Sequence, residues 1–110
     1  MALIMVVDDD PSVLRMLTQV MQRDGHTVIQ AEDGEVALRL FRKQPADVII
    51  TDILMPNKEG LELIAEARDV SPQVKIIAYS GGGKMQPESY LAFATGMGAD
   101  RVFTKPVPIT

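Results

Sequence analysis

The sequence predicts an α/β domain in three layers, with a five-stranded parallel sheet between two layers of helices. Short apolar runs rich in valine and isoleucine lack polar alternation, which is typical of strands buried on both faces. Amphipathic segments separate these runs, so strand and helix patterns alternate along the chain. The clearest runs are Leu3–Val7, Val48–Thr51, Val74–Tyr79 and Arg101–Thr104.

The first strand is followed by a helix and a short second strand. Because proline is favoured in the first turn of a helix, we expect this helix to begin at Pro11 or Ser12. Apolar residues recur at helical spacing up to Gly25, a residue type that commonly ends helices. His26–Ala31 is then the predicted second strand.

Capping residues and prolines delimit the other helices. Asp33 suits the N-cap of a second helix, which should end before Pro45 because the residue preceding a proline disfavours helical backbone. A third helix should stop before Pro72, and a fourth should begin at Pro87. The last predicted strand leads directly to Lys105.

The predicted architecture is therefore (βα)4β. We adopt the strand order 2-1-3-4-5, which is one of the two common orders of doubly wound sheets. In this order the first and third strands are neighbours, and the helices that follow them lie on opposite faces. The carboxyl ends of these two strands then border a crevice, which is where open α/β sheets bind ligands.

Composition narrows the class of protein. A chain of 110 residues supports one domain over residues 1–110. Asp and Glu number 15 against 11 Lys and Arg, so a nucleic-acid-binding face is not expected. The absence of cysteine excludes disulfides and thiolate metal sites. Leu3–Val7 is too short for a signal sequence or a membrane span, so we expect a cytoplasmic protein.

Polar side chains follow the ends of four predicted strands. They are Asp8-Asp9, Asp52, Ser80 and Lys105. Because the carboxyl ends of parallel strands meet at one edge of a sheet, we expect these side chains to converge. Three carboxylates, a hydroxyl and an ammonium group would suit a divalent cation together with a phosphoryl group. This convergence is the main indication of function.

Each residue taken alone also has a purely structural interpretation. Asp8, Asp9 and Asp10 could cap the helix that begins near Pro11, and Asp10 is the best candidate for that role. Ser80 could be a turn residue before glycines, and a lone lysine at a strand end is usually solvated. The functional interpretation depends on all of these residues acting together.

The chain resembles the receiver domains of bacterial two-component response regulators, in particular the small stand-alone kind. The resemblance runs from Leu3 to Pro106 and implies a flavodoxin-like fold with the strand order given above. The motifs that carry it are Val6-Val7-Asp8-Asp9-Asp10-Pro11, Asp52-Ile53-Leu54-Met55-Pro56 with Gly60, Ser80-Gly81, Gly98-Ala99-Asp100 and Lys105-Pro106.

The resemblance implies a role for each site residue. Asp52 would be the phospho-acceptor, with Lys105 and Ser80 contacting the phosphoryl oxygens. It also implies a bound Mg²⁺, with Mn²⁺ as an alternative. The metal ligands would be Asp9, Asp52 and the backbone carbonyl of Leu54, with Asp8 acting mainly through water. The phosphoryl donor would be a sensor histidine kinase or phosphotransfer protein, and phosphorylation would change affinity for a downstream protein.

An Mg²⁺-dependent phosphatase with an aspartate nucleophile is the alternative class. Such enzymes usually carry the nucleophile after the first strand, two residues from a second aspartate. Here the best acceptor follows the third predicted strand, and Asp8-Asp9-Asp10 runs directly into Pro11. A pocket for an organic substrate is also difficult to build from so short a chain. We therefore expect a phospho-acceptor domain that is not an enzyme acting on a separate substrate.

The sequence departs from the family pattern in three places, one of which is the long, glycine-rich loop that follows Ser80. Val102 stands where the family usually has an aromatic residue three positions before the lysine, which puts coupling of the phosphate to an aromatic rotamer in doubt. The chain also stops at Thr110, where a fifth helix should begin. A missing helix would leave apolar surface on one face of the sheet. Either the chain is a fragment of a longer one, or it covers that face by self-association or exchange of elements, for which a two-fold homodimer is the preferred form.

Overall fold

The computed structural model describes residues 2–53, 60–80 and 101–104. Its five strands form one parallel sheet of order 2-1-3-4-5, which confirms the predicted topology. The strands are β1 (Leu3–Val7), β2 (Thr27–Ala31), β3 (Val48–Asp52), β4 (Lys75–Ser80) and β5 (Arg101–Thr104). Strands β1 and β3 are therefore neighbours, and β4 lies on the other side of β3.

The first helix has the predicted caps at both ends. Helix α1 (Pro11–Arg23) begins with a proline, and the Asp10 side chain accepts a hydrogen bond from the Ser12 N–H at 2.9 Å. At its other end Gly25 has φ 90°, and the N–H of His26 donates to the carbonyl of Met21. This is a Schellman motif, in which glycine avoids the strain that a side chain would meet at positive φ. Because His26 completes the cap, β2 begins one residue later than predicted.

Two further helices are described. In α2 (Gly34–Lys43) the side chain of Asp33 accepts from the Val36 N–H at 2.9 Å, so the predicted cap is confirmed. Helix α3 (Gly60–Val70) ends before Pro72, as predicted. Strand β4 is displaced by one residue from the predicted run, and β3 extends one residue further to include Asp52.

The core has one cluster on each face of the sheet. Alternate strand residues point to opposite faces, so each strand contributes to both clusters. The first cluster packs α2 and α3 against the sheet and includes Met5, Phe41, Ile49, Ile64 and Ile76. The second packs α1 against the other face and contains Ile4, Val6, Leu17, Ile50 and Tyr79. Both clusters fix strand ends that carry the polar residues of the next subsection.

Several predictions fall outside the described residues. They include the fourth helix from Pro87, the glycines after Ser80, and the end of the chain after Thr104. The homodimer depends on that last segment and stays a prediction, which light scattering across a dilution series would test. Strand β5 is described, and its Val102 pairs with Ala78. Among the described helices, none is long and apolar enough to cross a membrane.

Candidate functional site

Three carboxylates meet at the carboxyl edge of the sheet. Asp8 follows the last residue of β1, Asp9 is next in the chain, and Asp52 ends the neighbouring strand β3. One carboxylate oxygen from each lies within 4.8 Å of those from the other two. The predicted convergence of these three residues is therefore confirmed, although Asp9 and Asp52 are 43 positions apart in the sequence.

The three carboxylates differ in exposure. Asp8 is 0% exposed and Asp52 is 4% exposed, whereas Asp9 is exposed to solvent. Carboxylates this close together repel one another, and a cation bound between them would relieve that repulsion. The solvent-exposed Asp9 marks the side from which a hydrated cation can approach.

Both oxygens of Asp8 accept hydrogen bonds. Its Oδ1 accepts from the backbone N–H of Asp10 at 2.8 Å, and its Oδ2 accepts from the hydroxyl of Tyr79 at 2.5 Å. Its own N–H donates to the carbonyl of Ala31 on β2. The helix-capping turn at Asp10 and a tyrosine from β4 thus hold this carboxylate from two directions.

Tyr79 is a site residue that the sequence analysis missed. It was assigned only to the apolar fourth strand, yet its hydroxyl reaches the acidic cluster. Burial raises the pKa of Tyr79 above its ordinary value, and the hydrogen bond to Asp8 and the nearby carboxylate charges raise it further. The phenol therefore stays protonated and acts as a donor. A signal was available, because a buried tyrosine hydroxyl usually has a hydrogen-bond partner.

The backbone around Asp52 is tightly packed. The hydroxyl of Thr51 donates to the Asp52 carbonyl at 2.8 Å, and the N–H of Gly60 donates to the Ile53 carbonyl at 2.7 Å. A Cβ on Gly60 would lie 2.3 Å from the Asp52 carbonyl oxygen and 2.6 Å from the Ile53 Cα. Only glycine therefore lets the start of α3 pack against the end of β3, and this contact fixes the position of Asp52.

The donor set fits a hard divalent cation. Oxygen ligands suit Mg²⁺, Ca²⁺ and Mn²⁺. Octahedral Mg²⁺ with ligands at about 2.1 Å places neighbouring ligand oxygens about 3 Å apart and opposite ones about 4 Å apart. The carboxylate oxygens of Asp8, Asp9 and Asp52, within 4.8 Å of one another, reach such spacings through small side-chain rotations or with one carboxylate bound through water.

The other predicted site residues are described in part or not at all. Ser80 is the last residue of β4, and its backbone pairs with Thr104, the residue before Lys105. This pairing places the ends of β4 and β5 at the same edge as the carboxylates. Leu54 and Lys105 lie outside the described residues, so their predicted roles stay predictions.

Comparison with known proteins finds one family. The family model described as the response regulator receiver domain matches residues 4–110. The transcriptional regulatory protein GlrR of Escherichia coli strain K12 is 33% identical over 104 residues, which cover 94% of this chain. The chain spans only 23% of the length of GlrR.

Two solved structures have the same fold. A response regulator receiver domain protein from Clostridium thermocellum has a TM-score of 0.89 and 29% sequence identity, and the match covers 99% of this chain and 86% of that protein's chain. A response regulator from Burkholderia pseudomallei has a TM-score of 0.86 and 28% sequence identity, and the match covers 97% of this chain and 61% of that protein's chain. The latter was solved with a phosphorylated aspartic acid, a calcium ion and citrate.

Proposed function

The chain belongs to the response regulator receiver domain family of two-component signal transduction, and from this premise we propose that Asp52 is its phospho-acceptor. Asp52 takes a phosphoryl group from a sensor histidine kinase or phosphotransfer protein in an Mg²⁺-dependent reaction. The phosphorylated domain then changes its affinity for a downstream protein. The domain is a signalling acceptor and does not turn over a separate organic substrate.

One observation carries this proposal: the buried Asp52 carboxylate lies in a cluster with Asp8 and Asp9 at the edge of the sheet. Asp8 is a poor nucleophile because both of its oxygens accept hydrogen bonds from the protein. Asp9 is exposed, which suits a ligand for an incoming hydrated cation. Asp52 also ends the strand next to β4, which brings Ser80 toward the same edge.

The chemistry follows from this arrangement. A carboxylate oxygen of Asp52 attacks the phosphorus of the phosphohistidine, and the phosphorus–nitrogen bond breaks with its electron pair going to the ring nitrogen. The imidazole leaves with one proton taken up on the ring, so that an aspartyl phosphate and a neutral histidine result. Asp9, Asp52 and the Leu54 carbonyl would hold Mg²⁺, with Asp8 acting through a bound water. When bound, the cation neutralises charge on the phosphoryl oxygens. Ser80 and Lys105 would each contact one further phosphoryl oxygen, and Mn²⁺ would substitute for Mg²⁺.

Labelling with a small phosphodonor tests the proposal. Incubation with acetyl phosphate and Mg²⁺ should add one phosphoryl group to the intact mass, and hydroxylamine should remove it because acyl phosphates are cleaved by that reagent. Labelling should stop when EDTA removes the cation. A domain that gains no phosphoryl group under these conditions, while releasing phosphate from organic phosphomonoesters, would contradict the proposal.

The metal ligands should differ in their importance. Asp9→Ala removes a direct ligand and should weaken Mg²⁺ binding by about 100-fold, whereas Asp8→Ala removes an outer contact and should cost about 10-fold. Isothermal titration of each purified variant with Mg²⁺ measures the difference. Equal affinity in wild type and Asp9→Ala would show that Asp9 is not a ligand.

A further inference from the structure

Tyr79 connects the strand that carries Ser80 to the far side of the acidic cluster. It is fully buried on β4, where it pairs with Asp52 of β3, and its ring lies among Ile4, Val6 and Leu17. Its hydroxyl extends past β3 to β1, where it donates to Asp8 Oδ2 at 2.5 Å and lies 3.5 Å from the Val7 carbonyl.

We propose that Tyr79 is a positioning residue that sets the cation selectivity of this site, by holding the Asp8 carboxylate out of direct metal coordination. The inference depends on the proposed metal site and adds to it a residue that acts through Asp8. The hydroxyl and the Asp10 N–H each occupy one oxygen of Asp8, so this carboxylate is fixed at both ends.

A charge-assisted hydrogen bond of this length is among the strong ones in proteins. A carboxylate oxygen that accepts such a bond has less electron density to offer a cation. It also cannot rotate toward the metal without breaking the bond. Tyr79 therefore keeps the Asp8 carboxylate out of the direct ligand set of the cation.

The number of direct carboxylate ligands discriminates between cations. Mg²⁺ prefers rigid octahedral coordination and usually keeps several waters, whereas Ca²⁺ takes six to eight oxygen ligands in flexible geometry. A site with two direct carboxylates and an outer third therefore favours Mg²⁺. If Asp8 could turn and bind directly, the site would gain a ligand that Ca²⁺ uses better than Mg²⁺.

Tyr79→Phe removes the hydroxyl and keeps the buried ring. We expect the variant to bind Ca²⁺ more tightly relative to Mg²⁺, with the ratio of the two affinities shifting about tenfold toward Ca²⁺. Isothermal titration with each chloride salt measures both affinities. A spectroscopic signature accompanies the shift: the chain has two tyrosines and no tryptophan, and the cation-induced change in tyrosine emission should be smaller in Tyr79→Phe than in wild type.

Thr18→Val is the matched control. The Thr18 hydroxyl accepts a partly buried hydrogen bond from Gln30 at 2.7 Å, near the opposite edge of the sheet from β4 and β5. This variant should lose stability in a denaturant titration and keep the wild-type ratio of affinities. A loss of stability alone then cannot account for a shift in selectivity.

The possible outcomes separate the two proposals. If wild type binds Mg²⁺ and Tyr79→Phe folds with an unchanged ratio of affinities, the role of Tyr79 is wrong and the metal site stands. An equal change in both affinities would also overturn the role in selectivity. If wild type binds neither cation, the proposed metal site fails, and the inference fails with it.

Discussion

Asp52→Asn should abolish phosphoryl incorporation from acetyl phosphate while the domain stays folded. The amide has nearly the shape of the carboxylate but is not a nucleophile, so no aspartyl phosphate can form. Asp52 is 4% exposed and lies beside two other carboxylates. Removing its charge relieves repulsion, and we therefore expect the free energy of unfolding to stay the same or to rise. Intact mass and denaturant unfolding measure the two effects.

Asp10→Asn is the matched control for this variant. It makes the same chemical change two residues from Asp8, and asparagine caps helices about as well as aspartate. Asp10 caps α1 through its own carboxylate, which accepts from Ser12, so it has no part in the proposed ligand set. Asp10→Asn should label at close to the wild-type rate. Labelling of Asp52→Asn at that rate, with phosphate on Asp8 or Asp9, would show that the acceptor is misassigned.

Gly60→Ala should reduce both stability and the rate of phosphorylation. The added Cβ would lie 2.3 Å from the Asp52 carbonyl oxygen and 2.6 Å from the Ile53 Cα, and these backbone atoms cannot rotate away. Overpacking of this kind costs about 1–3 kcal/mol, and we expect a loss near 3 kcal/mol. The end of β3 has to move, and a displacement of about 1 Å at a reacting group can slow a reaction about 100-fold.

Gly25→Ala separates the two effects of Gly60→Ala. Gly25 has φ 90°, so a side chain there should destabilise the domain by about 1–2 kcal/mol through backbone strain. It lies before β2, at the opposite edge of the sheet from the carboxylates. Gly25→Ala should therefore lose stability and keep its phosphorylation rate under folding conditions. If Gly60→Ala behaves in the same way, the contact of Gly60 with β3 does not position Asp52.

The elements that the sequence predicts correctly depend on local chemistry. Asp10 and Asp33 cap helices through atoms two or three residues away, and Gly25 adopts its turn because it lacks a side chain. The apolar runs are an equally local signal, because a strand that is buried on both faces needs apolar side chains along its own length. Strands β2 and β4 each begin one residue later than predicted. For β2 the preceding residue, His26, belongs to the cap of α1, and for β4 the first residue that pairs with β3 is Lys75.

The acidic cluster was predictable for a different reason. In a parallel sheet the carboxyl ends of all strands lie at one edge. The residues that follow the apolar runs of the predicted strands therefore identify Asp8, Asp9 and Asp52 as neighbours before any interatomic distance is known. The strand order itself came from a common architecture and not from the residues. The structure confirms that order, and the adjacency of β1 and β3 follows from it.

Only the tertiary structure decided how the site is held. The hydrogen bond from Tyr79 to Asp8 joins residues 71 positions apart, across a strand to which neither belongs. Strand patterns show that residue 79 is buried, but the direction of its hydroxyl depends on packing among residues from α1, β1 and β3. The glycine requirement at position 60 likewise comes from the approach of α3 to β3. Sequence by itself determined which groups stand at strand ends, because strand ends are encoded locally, and the ends of parallel strands meet at one edge. Their orientation was decided by contacts between distant segments, which no local pattern records.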